Sequence, residues 1–307
     1  MIFKYFIYAI LNVIIKTLYM KSINSVFICL ILAIAFKMAG CGSQMEYPSI
    51  NYTESKSHNY GQIVWRDLFT PDPKKAAEFY KNVFGWTSVK YGEGDEEYWM
   101  FKSNGKPVAG MYHMKDAKKN AGGEWLQYYS VPSLDDAVRK SRSAGGNVII
   151  KPTEIPGRGM VALMTDPQNA YFAFIKSANG DPEEKGFTDF TFIWNELWSN
   201  DMEKSSDFYQ KVFNSQLESK SDDSRAYTVL KNNGKPSSGI IKNPVENVRS
   251  NWVQYIKVSD VKLTEDKVKN AGGHTLIASD TAIRKGTVAV FTDPTGAPFA
   301  IQKWPIE

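Results

Sequence analysis

A block of sequence that recurs at a fixed interval limits this chain to two copies of one domain. Trp65-Arg-Asp-Leu-Phe-Thr-Pro-Asp72 returns as Trp194-Asn-Glu-Leu-Trp-Ser-Asn-Asp201, and Phe79-Tyr80-Lys-Asn-Val-Phe84 as Phe208-Tyr209-Gln-Lys-Val-Phe213, each 129 residues later. Gly105-Lys-Pro-Val-Ala-Gly110 returns at the same interval as Gly234-Lys-Pro-Ser-Ser-Gly239. Trp125-Leu-Gln-Tyr128, Ala144-Gly-Gly146 and Thr165-Asp-Pro167 return 127 residues later, so two residues are deleted between the blocks. Self-similarity over this length marks a duplicated unit. A chain of 307 residues has room for two domains of ordinary size. The repeat sets them at 60–178 and 187–305, with a linker at 179–186 that opens on the turn-forming Asn179-Gly-Asp-Pro182.

Within each copy the periodicity changes in a fixed order. Residues 63–69 are rich in branched and aromatic side chains, as a strand requires. Asp72 then offers an N-cap and Pro73 a first helical position. Ala76, Phe79, Tyr80 and Val83 share one helical face, and Gly85 ends the helix. In the second copy Asp201 caps, Ser205, Phe208, Tyr209 and Val212 form the face, and Asn214 ends it. Short strands are expected at 97–102 and 108–114. A strand at 125–131, a helix at 134–142 and strands at 147–150, 160–165 and 171–176 follow. The pattern is β-α-β-β-β twice per domain, an α+β chain of four modules.

The first 41 residues read as targeting rather than fold. Lys21 precedes a mainly apolar core at 22–36, and Met38-Ala39-Gly40-Cys41 follows. This resembles a bacterial lipobox, in which a Cys after small residues is lipidated; Lys37 departs from the usual pattern. The expectation is a signal peptide at 1–41 with Cys41 as the lipidated residue, a polar tether at 42–59 and a lipid-anchored place in the cell envelope. Either Met1 or Met20 serves as the start. The leader also explains the net charge of +4: without its four lysines, the 37 basic residues fall to 33, equal to the 33 acidic ones. A neutral body has little attraction for phosphate backbones, so nucleic acid is not an expected partner. Both cysteines, Cys29 and Cys41, belong to the leader. The repeated domains therefore hold no intrachain disulfide, thiolate metal site or nucleophilic thiol.

The strand–cap–helix from Trp65 to Trp86, the Ala-Gly-Gly after the second helix and Thr-Asp-Pro-x-x-Ala-x-Phe-Ala at 165–173 and 292–300 together resemble the vicinal-oxygen-chelate superfamily. This is the superfamily of glyoxalases, bleomycin-resistance proteins and extradiol dioxygenases. The resemblance covers about 245 residues and implies tandem domains, each of two βαβββ modules forming a curled mixed sheet around a cleft. It also implies a metal held by His, Gln or Glu from four strand positions. Those positions fall on Trp65, Gly110, Leu126 and Ala173 in the first domain, and on Trp194, Gly239, Val253 and Ala300 in the second. None is a ligand residue. A one-residue slip would bring in only Gln127 and Gln254, one amide per domain. The three histidines, His58, His113 and His274, fall at none of these positions. No metal and no cofactor are expected.

Strand alternation places Trp65, Asp67 and Phe69 on one face, and Trp194, Glu196 and Trp198 on the corresponding one. An acid beside Trp suits a cationic or polar aromatic ligand. One of Gln127 and Tyr128, and one of Gln254 and Tyr255, must also face inward. Arg158 and Lys285 share a slot before the last strand pair and offer a cation at the cleft mouth. The candidate ligand-binding residues are therefore Trp65, Asp67, Gln127, Tyr128, Arg158, Trp194, Glu196 and Gln254. The second copy departs further from the family pattern, with Asn214-Ser215 for Gly85-Trp86, so the first domain is expected to keep the more family-like cleft. Three functions remain open: a metal-free small-molecule binder, a lyase or dioxygenase-like enzyme, and a structural domain with closed clefts.

Overall fold

The computed structural model describes residues 45–53, 55–93, 97–115, 122–183, 186–222 and 225–305. The leader and Cys41 lie outside them. Among the described residues no helix is long and apolar enough to cross a membrane.

Each copy of the repeat builds one open, eight-stranded mixed sheet. The first contains β1 (Ile63–Thr70), α1 (Pro73–Phe84), β2 (Thr87–Tyr91), β3 (Tyr98–Ser103), β4 (Lys106–His113), β5 (Glu124–Ser130), α2 (Leu134–Ser143), β6 (Asn147–Ile155), β7 (Gly159–Thr165) and β8 (Tyr171–Ser177). Its strand order is β2-β3-β4-β1-β5-β8-β7-β6. The second repeats it with β9 (Phe192–Ser199), α3 (Met202–Phe213), β10 (Gln216–Asp222), β11 (Arg225–Asn232), β12 (Lys235–Lys242), β13 (Asn251–Val258), α4 (Val261–Asn270), β14 (His274–Ile277), β15 (Val288–Thr292) and β16 (Pro298–Lys303). The β-α-β-β-β pattern calls for a strand directly after the first helix, but the sequence marks no span for β2. Only one of the five residues of β2 is apolar apart from its terminal tyrosine, and none is buried, so no periodicity marks it.

The helix caps follow the sequence. Asp72 accepts from the amide of Lys75, and Asp201 from that of Lys204. Gly85 closes α1 in the left-handed region at φ 69°, where the second copy uses Asn214 at φ 54°.

The helices carry the apolar part of the domain–domain contact. Phe79, Tyr80 and Phe84 of α1 share a buried cluster with Val261 and Val268 of α4 and with Phe299 of β16. By the same pseudo-twofold, Phe208, Tyr209 and Val212 of α3 share one with Leu134 and Ala137 of α2 and with Phe172 of β8. Two hydrogen-bond chains cross this interface reciprocally. Trp125 Nε1 donates to Tyr80 Oη at 3.0 Å, and Tyr80 donates to Asp293 of the other domain at 3.1 Å. Trp252 Nε1 donates to Tyr209 Oη at 3.1 Å, and Tyr209 donates to Asp166 at 3.4 Å. Asp166 and Asp293 also accept backbone N–H groups of their own turns, the role expected of Asp-Pro before the last strand.

Residues 45–53 and 55–60 form a strap rather than a tether. Tyr47 and Ile50 are buried against the concave face of the first sheet. The Tyr47 amide donates to Pro156 O at 2.9 Å. Asn51 donates to Asn179 O at 2.8 Å, and the Asn59 amide to Asp181 at 2.7 Å. The polar composition suggested a tether, but Ser49, Asn51 and Asn59 spend their polar groups on backbone carbonyls. Its apolar anchors are Tyr47 and Ile50, with Met45 packed beside them.

Candidate functional site

The concave face of each sheet carries an acid at its centre, on the first strand. In the first domain the register sets Asp67 beside Gly110 on β4 and Leu126 on β5, and sets Tyr128 beside Trp65 and Ala173. Asp67 is fully buried. Its Oδ1 accepts from Trp65 Nε1 and from the Tyr98 hydroxyl, both at 2.9 Å, and its Oδ2 accepts from Arg158 Nη1 at 3.0 Å. The guanidinium lies 4.5 Å from the Tyr98 ring centre and 5.8 Å from that of Trp65. Phe69, Tyr112 and Tyr128 complete an aromatic box.

The second cleft repeats this plan. Glu196 sits beside Gly239 and Val253, and Tyr255 beside Trp194 and Ala300. Glu196 Oε1 accepts from Tyr227 Oη at 2.9 Å and from Arg284 Nη2 at 2.5 Å, while Tyr255 donates to Oε2. Trp194 Nε1 turns to Tyr227 Oη at 2.7 Å instead of reaching the acid. The Arg284 guanidinium lies 5.6 Å from the ring centres of both tyrosines.

Burial, and after it the neighbouring carboxylate, pushes the Tyr227 and Tyr255 hydroxyls well above their ordinary value. Burial does the same to Tyr98 and outweighs the opposing pull of Arg158. These phenols stay protonated at neutral pH, so they act as fixed donors to the acid.

A divalent metal at the family position does not fit these residues. Each cleft offers one carboxylate, and it is already saturated by a guanidinium and two further donors. The glycine where the family places a ligand is required by packing. A Cβ on Gly110 would lie 1.6 Å from the Tyr98 hydroxyl and 2.1 Å from Asp67 Oδ1, and one on Gly239 would lie 2.1 Å from the Tyr227 hydroxyl. A fixed guanidinium beside the acid also repels a second cation. His58 approaches Asp181 at 3.7 Å and stacks on Tyr60. His113 lies past Gly110 on β4, and His274 is exposed at the start of β14. No group of three or more His, Cys, Asp or Glu residues suited to a metal occurs among the described residues.

Three expectations need correction. Gln127 and Gln254 do not face the clefts. Tyr128 and Tyr255 do, and the amides meet on the opposite face at the domain junction. There Gln254 Nε2 lies 3.4 Å from Gln127 Oε1, and Gln127 Nε2 donates to Tyr171 O at 3.2 Å. Arg66 joins them by donating to Asn195 and Gln254, and burial pulls its pKa down to about 9. In the second cleft the cation is Arg284, not Lys285. The loop forms a short 3-10 turn at Arg284–Gly286 with Arg284 at φ 45° and Lys285 at φ 53°, so the inward position falls one residue earlier. Finally, both acids are neutralised by arginine, which removes the attraction expected for a cationic ligand.

The two clefts differ in access. The strap lies over the first, and Trp65 is 3% exposed there. Among the described residues no such strap lies over the second. Trp194, Ile193, Ile241, Leu276, Ile277 and Ile283 are all partly exposed around it. The first cleft, expected to be the more family-like, is thus the more closed. Tyr98, Tyr227 and Arg284 were not identified from sequence. The repeat held the signal for the tyrosines, which stand 129 residues apart.

A family model described as the Glyoxalase/Bleomycin resistance protein/Dioxygenase superfamily matches residues 60–174 and 191–301. A Mycobacterium tuberculosis protein named "Putative glyoxylase CFP32" is 30% identical over 254 residues, covering 80% of this chain and 96% of that protein. The anthracycline biosynthesis protein DnrV of Streptomyces peucetius is 27% identical, covering 78% of this chain and 92% of its own length. Among solved structures, the Mn(II)-bound glyoxalase of Novosphingobium aromaticivorans superposes with a TM-score of 0.55 at 15% identity, over 81% of this chain and 83% of that one. The 2,3-dioxygenase LapB of Pseudomonas sp. KL28 gives 0.53 at 14% identity, over 81% and 93%. At these identities the structures share the fold.

Proposed function

The chain belongs to the Glyoxalase/Bleomycin resistance protein/Dioxygenase superfamily, and on that premise we propose that it is a metal-free binder of small molecules, held at the cell envelope by a lipid on Cys41. One observation carries the metal-free part: in both clefts the acid at the centre of the sheet is paired with an arginine. A guanidinium held by a carboxylate and flanked by aromatic rings gives a fixed set of N–H donors that needs no ion from solution. Such a centre orients a ligand by its acceptor oxygens, and the surrounding Trp and Tyr rings supply apolar area. The name of the Streptomyces relative, an anthracycline biosynthesis protein, supports planar aromatic compounds as the class to screen.

A melting-temperature screen of aromatic phenols and acids on chelator-treated protein tests the binding part. Compounds that raise the melting temperature without added metal, and lose that effect in Trp194→Ala or Trp65→Ala, are expected. Stabilisation that requires a divalent ion contradicts the proposal. Mass spectrometry of protein expressed in a bacterial host tests the anchor: a diacylglyceryl mass on Cys41 is expected, and an intact leader contradicts it.

A further inference from the structure

The first cleft holds a cationic group with more than half of its hydrogen-bonding capacity unmet. Arg158 is 1% exposed. It reaches Asp67 through Nη1, while its Nε and Nη2 are buried without a hydrogen-bond partner. In a planar guanidinium Nε and Nη2 form one edge, a fork of two parallel N–H groups that matches the two oxygens of a carboxylate. Buried donors are rarely left unpaired, and each one that is carries a penalty. The strap packs against this guanidinium. The Tyr47 ring centre lies 5.9 Å from the guanidinium carbon, and the ring packs on those of Tyr98 and Tyr112 at 5.6 and 6.0 Å. The strap is seated closely, since the Tyr47 carbonyl lies 2.2 Å from where a Cβ on Gly157 would stand.

We propose that the first cleft is a latent site for a hydrophobic, aromatic carboxylate, and that residues 45–50 are a plug which this ligand displaces. The inference rests on the small-molecule reading above. The ligand carboxylate takes the Nε and Nη2 edge of Arg158 while Nη1 stays on Asp67. Its ring takes the place of the Tyr47 ring against the edge-to-face pair of Tyr98 and Tyr112. Asn51 and Asn59 keep their bonds to Asn179 and Asp181, so the rest of the strap holds its seat. The strap is thus an internal competitor, and cleft affinity is set by how tightly Tyr47 and Ile50 pack.

Calorimetric titration of the full-length protein in chelator, with benzoate and with benzamide as its neutral isostere, tests this. Tyr47→Ala is expected to bind benzoate about tenfold tighter than wild type, with benzamide at least about tenfold weaker than benzoate. Arg158→Lys keeps the charge and loses the fork; in the Tyr47→Ala background it should weaken benzoate by about tenfold. Equal benzoate affinity in wild type and Tyr47→Ala, or no response to Arg158→Lys, overturns the proposal. Sensitivity to Arg284→Lys alone also overturns it, yet leaves the small-molecule reading standing. Benzoate binding that appears only when metal replaces the chelator sinks that reading instead. Should Arg158→Lys not fold, the preference of Tyr47→Ala for benzoate over benzamide decides, and its absence overturns the proposal.

Discussion

Asp67→Asn isolates the charge at the centre of the first cleft. The amide keeps an acceptor oxygen for Trp65 Nε1 and the Tyr98 hydroxyl and removes the counter-charge of Arg158. Both side chains of the pair are wholly buried. A guanidinium left in that place without its partner costs about 3–5 kcal/mol. At about 2–4 °C per kcal/mol for a protein of this size, the melting temperature should fall by roughly 6–20 °C. Adding Arg158→Met removes the stranded charge at similar volume and should recover most of the loss, since an apolar substitute for a buried pair is often neutral. Glu196→Gln should cost less, because Arg284 keeps 11% of its side chain in water. Scanning calorimetry at pH 7 gives all three losses relative to wild type. A loss below about 1 kcal/mol for Asp67→Asn, the level of a solvated surface pair, would refute the reasoning.

Three further outcomes follow from the same geometry. Gly110→Ala should destabilise the first domain by about 2–4 kcal/mol, because its Cβ would meet the Tyr98 hydroxyl at 1.6 Å. Adding Tyr98→Phe should return part of that loss in denaturant titrations. Tyr80→Phe breaks the cross-domain chain from Trp125 to Asp293, and should cost about 1–3 kcal/mol in the same assay. Burial raises Asp166 from 3.8 to about 6, so the fold favours its protonated form. That contribution is full below the unfolded value and is lost as pH rises through about 6, a change of about 3 kcal/mol. Asp166→Asn should therefore gain on wild type as pH goes from 4 to 7, and a constant difference in melting temperature across that range would contradict the assignment.

The fold was legible because the repeat displays each module twice, so Trp65 and Trp194, or Asp72 and Asp201, corroborate one another. The acids were legible too, since strand alternation alone puts Asp67 and Glu196 on the face of the tryptophans. Their partners were not. The aspect that matters for Tyr98 is its reach across an empty Gly110, a contact between strands that no local spacing records. Arg284 was displaced from its expected slot by two left-handed residues, a backbone detail that the adjacent Lys285 conceals. Tyr128 against Gln127 could not be decided without register, and the register follows from pairing with β1. The strap was misjudged because burial of Tyr47 and Ile50 depends on a surface assembled from strands as distant as Tyr98 and Tyr112.

The central claim is that an arginine holds the place where this superfamily puts its metal. Metal content measured by mass spectrometry, after loading with zinc, nickel, manganese and iron(II) and exhaustive dialysis, tests it most directly. The account predicts far less than one equivalent of any metal, in wild type and in Trp65→Ala alike. One equivalent per domain that survives dialysis and is lost in Asp67→Asn or Glu196→Gln would contradict it, because the carboxylates would then be bound to metal rather than to Arg158 and Arg284.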